Sequence, residues 1–219
     1  MSGFLRNKHL PHDPVSHVQI AMLVAIGLQL TLPDRFSVGR YVVPLIEVLL
    51  LIFLSYTTPK KRTFRSPLRR LNVFLLIAIS SAGNAYSLGV ITSQLLKGQH
   101  LTDGRALILA AINIFLTNII LFALWYWEMD GGGPGERMRI AKYEQDFLFP
   151  QHHNEDYKHP DWRPLFVDYL YVSSTNAMTF GPADTKPLSR RAKMLMLLQS
   201  MISLVVVALV AARAVGILN

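Results

Sequence analysis

Cysteine is absent from this 219-residue chain, which excludes disulfides, thiol catalysis and cysteine-ligated metals. Charge is scarce too: 16% of the residues are charged against 51% hydrophobic. So few charges cannot cover a water-facing surface, and those present cluster between long uncharged runs, so the composition reads as an integral membrane protein. Acidic residues are the rarer sign, 14 Asp and Glu against 22 Lys and Arg, giving a net charge of +8. The basic excess flanks the apolar runs, where it sets topology and meets anionic lipid. No basic patch interleaved with aromatics is present, so the bilayer is the expected partner and nucleic acid is not. Gly-x-Ser-x-Gly, His-Glu-x-x-His and closely paired intramembrane carboxylates are also missing, and neither an enzyme activity nor a cofactor is expected.

Five apolar runs stand out against a hydrocarbon layer of about 30 Å and a helical rise of about 1.5 Å per residue. They are Val15 to Leu32, Tyr41 to Thr58, Leu71 to Leu96, Ala106 to Trp127 and Met194 to Ala212. The first lacks a small-residue cleavage pattern and is soon followed by a second, so it is expected to be a retained anchor. Trp125, Tyr126 and Trp127, closing the fourth run, read as an interfacial aromatic belt. Lys60, Lys61, Arg62, Arg65, Arg69 and Arg70 crowd one short loop, whereas the opposite loops hold Arg35 and Arg40, then Lys97 and Arg105. The 58–70 loop is therefore expected in the cytoplasm, with the N-terminus and the 128–193 region on the same side and the C-terminus outside.

The fold class expected is an all-α membrane protein of about five transmembrane helices plus a re-entrant half-helix before the last span. Residues 1–14 form a cytoplasmic segment, 15–127 a four-span region, 128–163 a polar connecting loop, and 164–219 the half-helix, a tight turn and the last span. The connecting loop carries Gly131-Gly132-Gly133-Pro134-Gly135, which reads as a helix-breaking turn because no strand precedes it and no Gly-Lys-Ser/Thr ends it. His152, His153 and His159, with Glu155 and Asp156, are weak metal-ligand candidates whose spacing matches no defined site; a solvated loop is the favoured reading. Asp146 and the apolar Phe147 to Pro150 are expected to dock the loop at the membrane surface.

Leu165 to Met178 is too short and too polar to cross a bilayer alone. Pro164 suits a first helical turn and Asp161 a cap, so this stretch is expected as a half-helix aiming its negative end at Thr179. The adjoining run Thr179-Phe180-Gly181-Pro182-Ala183-Asp184, with Pro187, Ser189, Ala192 and Lys193, resembles the pore region of tetrameric potassium channels, Thr-Val-Gly-Tyr-Gly-Asp-x-x-Pro-x-Thr-x-x-Gly-Arg, without a gap. Thr179, Gly181, Asp184 and Pro187 fall on identical positions; Ser189, Ala192 and Lys193 replace Thr, Gly and Arg. Pro182 and Ala183 stand where that family has Tyr and its second Gly. The resemblance implies a homotetramer with a monovalent cation, such as potassium, as transported ligand, and the two departures imply weak selectivity. Potassium channels enter this loop from outside, opposite to the side the charges give here. Three readings stay open: an inverted loop, as in glutamate-receptor channels, a miscounted span, or a region that is not a pore.

Trp125-Tyr126-Trp127-Glu128-x-Asp130, Asp146-Phe147-Leu148-Phe149-Pro150-Gln151 and Asp168-Tyr169-Leu170-Tyr171 with Thr175-Asn176 are similar to a family of uncharacterised bacterial multi-pass membrane proteins. That resemblance covers about the C-terminal half and implies a bacterial inner membrane. Gln199, Ser200 and Ser203 of the last span, where 199 and 203 or 200 and 203 share a face, are candidates either to line water or to bond a neighbouring helix. Glu47 is the one acidic residue well inside an unambiguous span, a candidate proton site, ion contact or partner of a polar group. Asp184 either rings a pore mouth or ties to its own loop or to Lys186, Arg190 or Lys193. The function expected is a channel-like cation pathway; the alternative is a non-conducting membrane scaffold or accessory subunit.

Overall fold

The computed structural model describes residues 15–37, 39–57, 67–96, 104–137, 145–152, 162–181 and 184–218, and the chain there is mostly helical. Helices α1 (Val15–Leu30), α2 (Val42–Thr57), α3 (Pro67–Leu96) and α4 (Gly104–Met129) follow the first four apolar runs. Helix α3 begins four residues before its apolar run. Pro67 suits a first turn, and Arg69 within that turn is buried beside Glu128 of α4 at 3.9 Å instead of facing solvent. Helices α3 and α4 are thus antiparallel, with the start of one against the end of the other.

Helix α4 stops where its sequence turns to glycine. Gly131, Gly132 and Gly133 adopt φ of +57°, +82° and +97°, and a Cβ on Gly133 would sit 3.1 Å from the Glu128 carbonyl oxygen. A one-turn helix, α5 (Pro134–Arg137), comes next. Strand β1 (Phe147–Leu148) pairs antiparallel with β2 (Lys186–Pro187), Phe147 opposite Pro187 and Leu148 opposite Lys186. Between them runs α6 (Phe166–Thr179), and after them α7 (Arg190–Leu218).

Helix α4 is the axis on which α1, α3, α6 and α7 pack, and each contact carries a polar bond. Asn113 donates to the Leu28 carbonyl of α1 (2.6 Å), and Trp125 Nε1 donates to Ser81 of α3 (3.1 Å). Ser173 of α6 donates to the Ile119 carbonyl (2.7 Å), and Asn118 donates to Ser203 of α7 (3.2 Å). Helix α2 lies outside this group against α3 and α1. One apolar cluster joins Met22, Leu54, Leu76 and Trp127 to Phe147, Tyr169 and Met196; a second joins Phe36, Ile91, Ala110 and Ile114 to Val206.

The outer faces are apolar. Leu45, Leu49, Ile52 and Phe53 of α2 and Leu197, Leu198, Met201 and Leu204 of α7 are exposed, while Asn118, Gln199 and Ser203 are buried. Polar groups inside and apolar groups outside is the arrangement a lipid-facing bundle needs. Three helical stretches, Pro67–Leu96, Arg105–Gly132 and Arg190–Arg213, are long and apolar enough to cross a membrane, and α1 and α2 are shorter apolar helices. The aromatic triplet closing α4 is not an interfacial belt. Tyr126 and Trp127 are fully buried and Trp125 is half-buried against α3, because α6, α7 and β1 cover that end of α4.

Candidate functional site: a helical hairpin and its buried polar seam

Helix α6 starts at Phe166 because the Asp168 carboxylate accepts the Leu165 N–H (2.7 Å), meeting one of the unpaired donors of a first turn. The cap is therefore made from inside the helix. Pro164 precedes it, and Asp161 lies outside the described residues. Phe166 lies against Trp127 and Ser173 against Ile119, so α6 runs antiparallel to α4. Six residues beyond Ser173, about 9 Å at the helical rise, α6 ends roughly halfway along α4. Phe180 then takes a left-handed conformation (φ +56°, ψ +27°), the sole non-glycine with positive φ among the described residues. The chain doubles back, and the Leu188 N–H donates to the Asp146 carbonyl (2.8 Å) next to where the hairpin began.

At the tip, Thr179, Phe180 and Asp184 are exposed and Gly181 is half-exposed. The Thr179 hydroxyl lies 2.7 Å from the Thr175 carbonyl and 2.8 Å from the Gly181 carbonyl, and its single proton serves one of them at a time. Asp184 accepts a long hydrogen bond from the Tyr171 hydroxyl (3.3 Å). Pro182 and Ala183 lie outside the described residues. The carbonyl end of α6, with the negative pole of its dipole, opens at this tip.

Behind the tip, one amide gathers three helices. Gln199 Oε1 accepts from Tyr126 (2.6 Å) and from Asn176 Nδ2 (2.8 Å), and its Nε2 donates to the carbonyl and hydroxyl of Ser173 (3.0 and 2.7 Å). Asn176 Nδ2 also donates to the Met196 carbonyl (3.0 Å), and its Oδ1 accepts from Ser200 (3.3 Å). Every donor and acceptor of the Gln199 amide is therefore used, and α4, α6 and α7 are cross-linked by neutral groups.

The base of the hairpin is ionic. Asp130 accepts the backbone N–H groups of Asp146 (2.6 Å) and Phe147 (3.2 Å) and the hydroxyl of Tyr169, while Asp146 Oδ2 accepts the Gly131 N–H (3.1 Å). These two carboxylates tie the end of α4 to β1 reciprocally. Arg137 donates to the Trp127 carbonyl (2.8 Å), lies 3.9 Å from Asp130 and stacks over the Tyr169 ring; Arg191 lies 3.4 Å from Asp146. Phe147 and Phe149 are buried among Tyr126, Tyr169 and Trp162. The 146–150 segment therefore docks into the bundle end and not onto a membrane surface.

Gln199 and Ser203 are fully buried within one copy of the chain and Ser200 is half-buried, all three bonded to neighbouring helices. Glu47 is also fully buried, beside Gln29 and Ser80 and remote in sequence and helix from the hairpin. His152 ends a one-turn helix, Pro150–His152, while His153 and His159 lie outside the described residues. Among the described residues no group of three or more His, Asp or Glu is placed to hold a metal ion. Sequence reasoning passed over Asp130, Tyr169, Tyr126 and Asn176 as site residues, although all four sit in the strings read as a resemblance to bacterial membrane proteins. In comparisons with known proteins, no family model, curated protein or solved structure matches the chain.

Proposed function

We propose that several copies of this chain, as a homotetramer in a bacterial inner membrane, form a channel-like and weakly selective cation pathway of the pore-loop type. The observation that supports it is the reversal of the chain just after Thr179, at the exposed Phe180 and half-exposed Gly181, both non-helical, about halfway along α4. Irregular backbone at such depth is tolerated in a bilayer only where protein covers it or water reaches it. Tips meeting around a shared axis meet both conditions. Carbonyls of Thr179, Phe180 and Gly181, backed by the negative ends of the α6 helices, would then replace part of a cation's hydration shell. Pro182, which lacks an N–H and fixes its own φ, favours a short or wide site over a long carbonyl stack.

Five spans, with the half-helix re-entering, complete this reading. Arg69 meets Glu128, and Arg191 meets Asp146 beside Gly131, so the base of the hairpin lies at the end where α3 begins with Arg69 and Arg70. The positive-inside rule places that end in the cytoplasm and the loop inverted relative to potassium channels.

A second reading rests on a separate observation. Gln199 and Ser203 spend their hydrogen bonds inside one copy, and the outward face of α7 is apolar, which favours a scaffold whose tip is covered by a different protein. Cation flux into vesicles reconstituted with purified protein decides between them. A pathway gives flux that falls several-fold, or changes its potassium-to-sodium ratio, in Asp184→Asn. Absence of flux in the unaltered protein, with a fixed second protein co-purifying, establishes the scaffold.

A further inference from the structure

We infer that Glu47 is a proton-binding site at the junction of α1, α2 and α3, separate from the hairpin and independent of whether the tip conducts. Glu47 is 0% exposed. Its Oε1 accepts from Gln29 Nε2 of α1 (3.2 Å) and from the Ser80 hydroxyl of α3 (2.5 Å), so one oxygen joins three helices. Its Oε2 has no hydrogen-bond partner among the described residues.

The contrast with the other buried acids is direct. Glu128 lies beside Arg69, Asp130 beside Arg137 and Asp146 beside Arg191. Glu47 has only neutral groups opposite it. Gln29 faces it from α1 and Ser80 from α3, and among the described residues no charged or titratable side chain of α1, α2 or α3 comes within ion-pair or hydrogen-bond reach of it. Arg40, on the segment leading into α2, is paired with Asp34. A carboxylate enclosed by apolar helices without a counter-charge is costly, and a bound proton removes the charge while leaving both neighbours in place.

The neighbours also suit exchange of that proton. The Ser80 hydroxyl lies 3.0 Å from the Leu76 carbonyl as well as against Glu47. With Glu47 loaded, the carboxyl proton points at Ser80 Oγ and the hydroxyl proton turns to Leu76; with Glu47 empty, the hydroxyl proton turns to the carboxylate. Rotation of one hydroxyl therefore accommodates both states, and the proton released goes to water. Glu47 is the sixth residue of α2, about 7.5 Å along the helix from its first residue, so water at that end is close.

Apolar carbodiimides react with protonated carboxyls in bilayers and not with ionised ones, which makes the site testable on the whole protein in lipid vesicles. The expected result is an N-acylurea adduct on the Glu47 peptide by mass spectrometry, lost as the labelling pH is raised and not formed with a water-soluble carbodiimide. Ser80→Ala should keep the adduct and move the pH at which it disappears. In Glu47→Gln the infrared C=O absorption of protonated carboxyls should lose the Glu47 component, seen as a difference against the unaltered protein, while the helical circular dichroism is retained. If Glu47→Gln does not fold, labelling of the unaltered protein and of Ser80→Ala carries the decision. No adduct at any pH overturns the inference, as does a protonated-carboxyl C=O spectrum that is the same in a folded Glu47→Gln protein and in the unaltered one.

Discussion

The two ends of the hairpin are built from opposite materials. At its base, Asp130, Asp146, Tyr169 and Arg137 form a buried, mostly satisfied ionic clasp, with the exposed Arg191 beside Asp146. At its tip, Thr179, Phe180 and Asp184 are exposed, and the side-chain hydrogen bonds found there among the described residues join Thr179 to Thr175 and Gly181, and Tyr171 to Asp184. The base fixes where the hairpin stands, while the described tip residues face outward. Stability and the proposed cation flux should accordingly respond to different residues.

The sharpest break of this contrast is Asp130→Ala. It strands two backbone N–H groups and the Tyr169 hydroxyl, removes the counter-charge of Arg137, and should cost about 3–5 kcal/mol, read as a large fall in the thermal midpoint of the detergent-solubilised protein. Gln199→Leu, which leaves Tyr126, Asn176 and Ser173 without their shared partner, should cost about 2 kcal/mol by the same measurement. Gly133→Ala places a methyl 3.1 Å from the Glu128 carbonyl at φ +97° and should cost about 1–2 kcal/mol, weakening the clasp from its α4 side. Asp184→Asn at the tip should shift stability by less than about 0.5 kcal/mol. A large stability loss from Asp184→Asn would erase the distinction between base and tip.

The helices were legible because long uncharged runs have few other ways to be buried or to meet lipid. The end of α4 was legible as well, since three consecutive glycines leave a helix no reason to continue. The partners of polar side chains were not legible. Arg69 reads as one more cytoplasmic charge until the end of α4 is brought beside it, and Trp125-Tyr126-Trp127 reads as a belt until α6, α7 and β1 cover it. Asp130 and Asp146 are separated by a glycine-rich loop whose composition gives no register, so their reciprocal bonds appear only once β1 and β2 are paired. Gln199 and Ser203 share a face in any helix, but whether that face looks at water or at α4 and α6 is a property of the packing. The tip was read through its motif, and the structure adds the left-handed Phe180 and the return of the chain to Asp146.

Helix α4 also imposes an order on biosynthesis. Asn118 and Tyr126 find Ser203 and Gln199 only 85 and 73 positions later in the chain. At ribosomal speeds of about 5–20 residues per second, α4 waits roughly 4–17 s for these acceptors after it has been made. During that interval an amide and a phenol must be sheltered by the insertion machinery or by earlier helices.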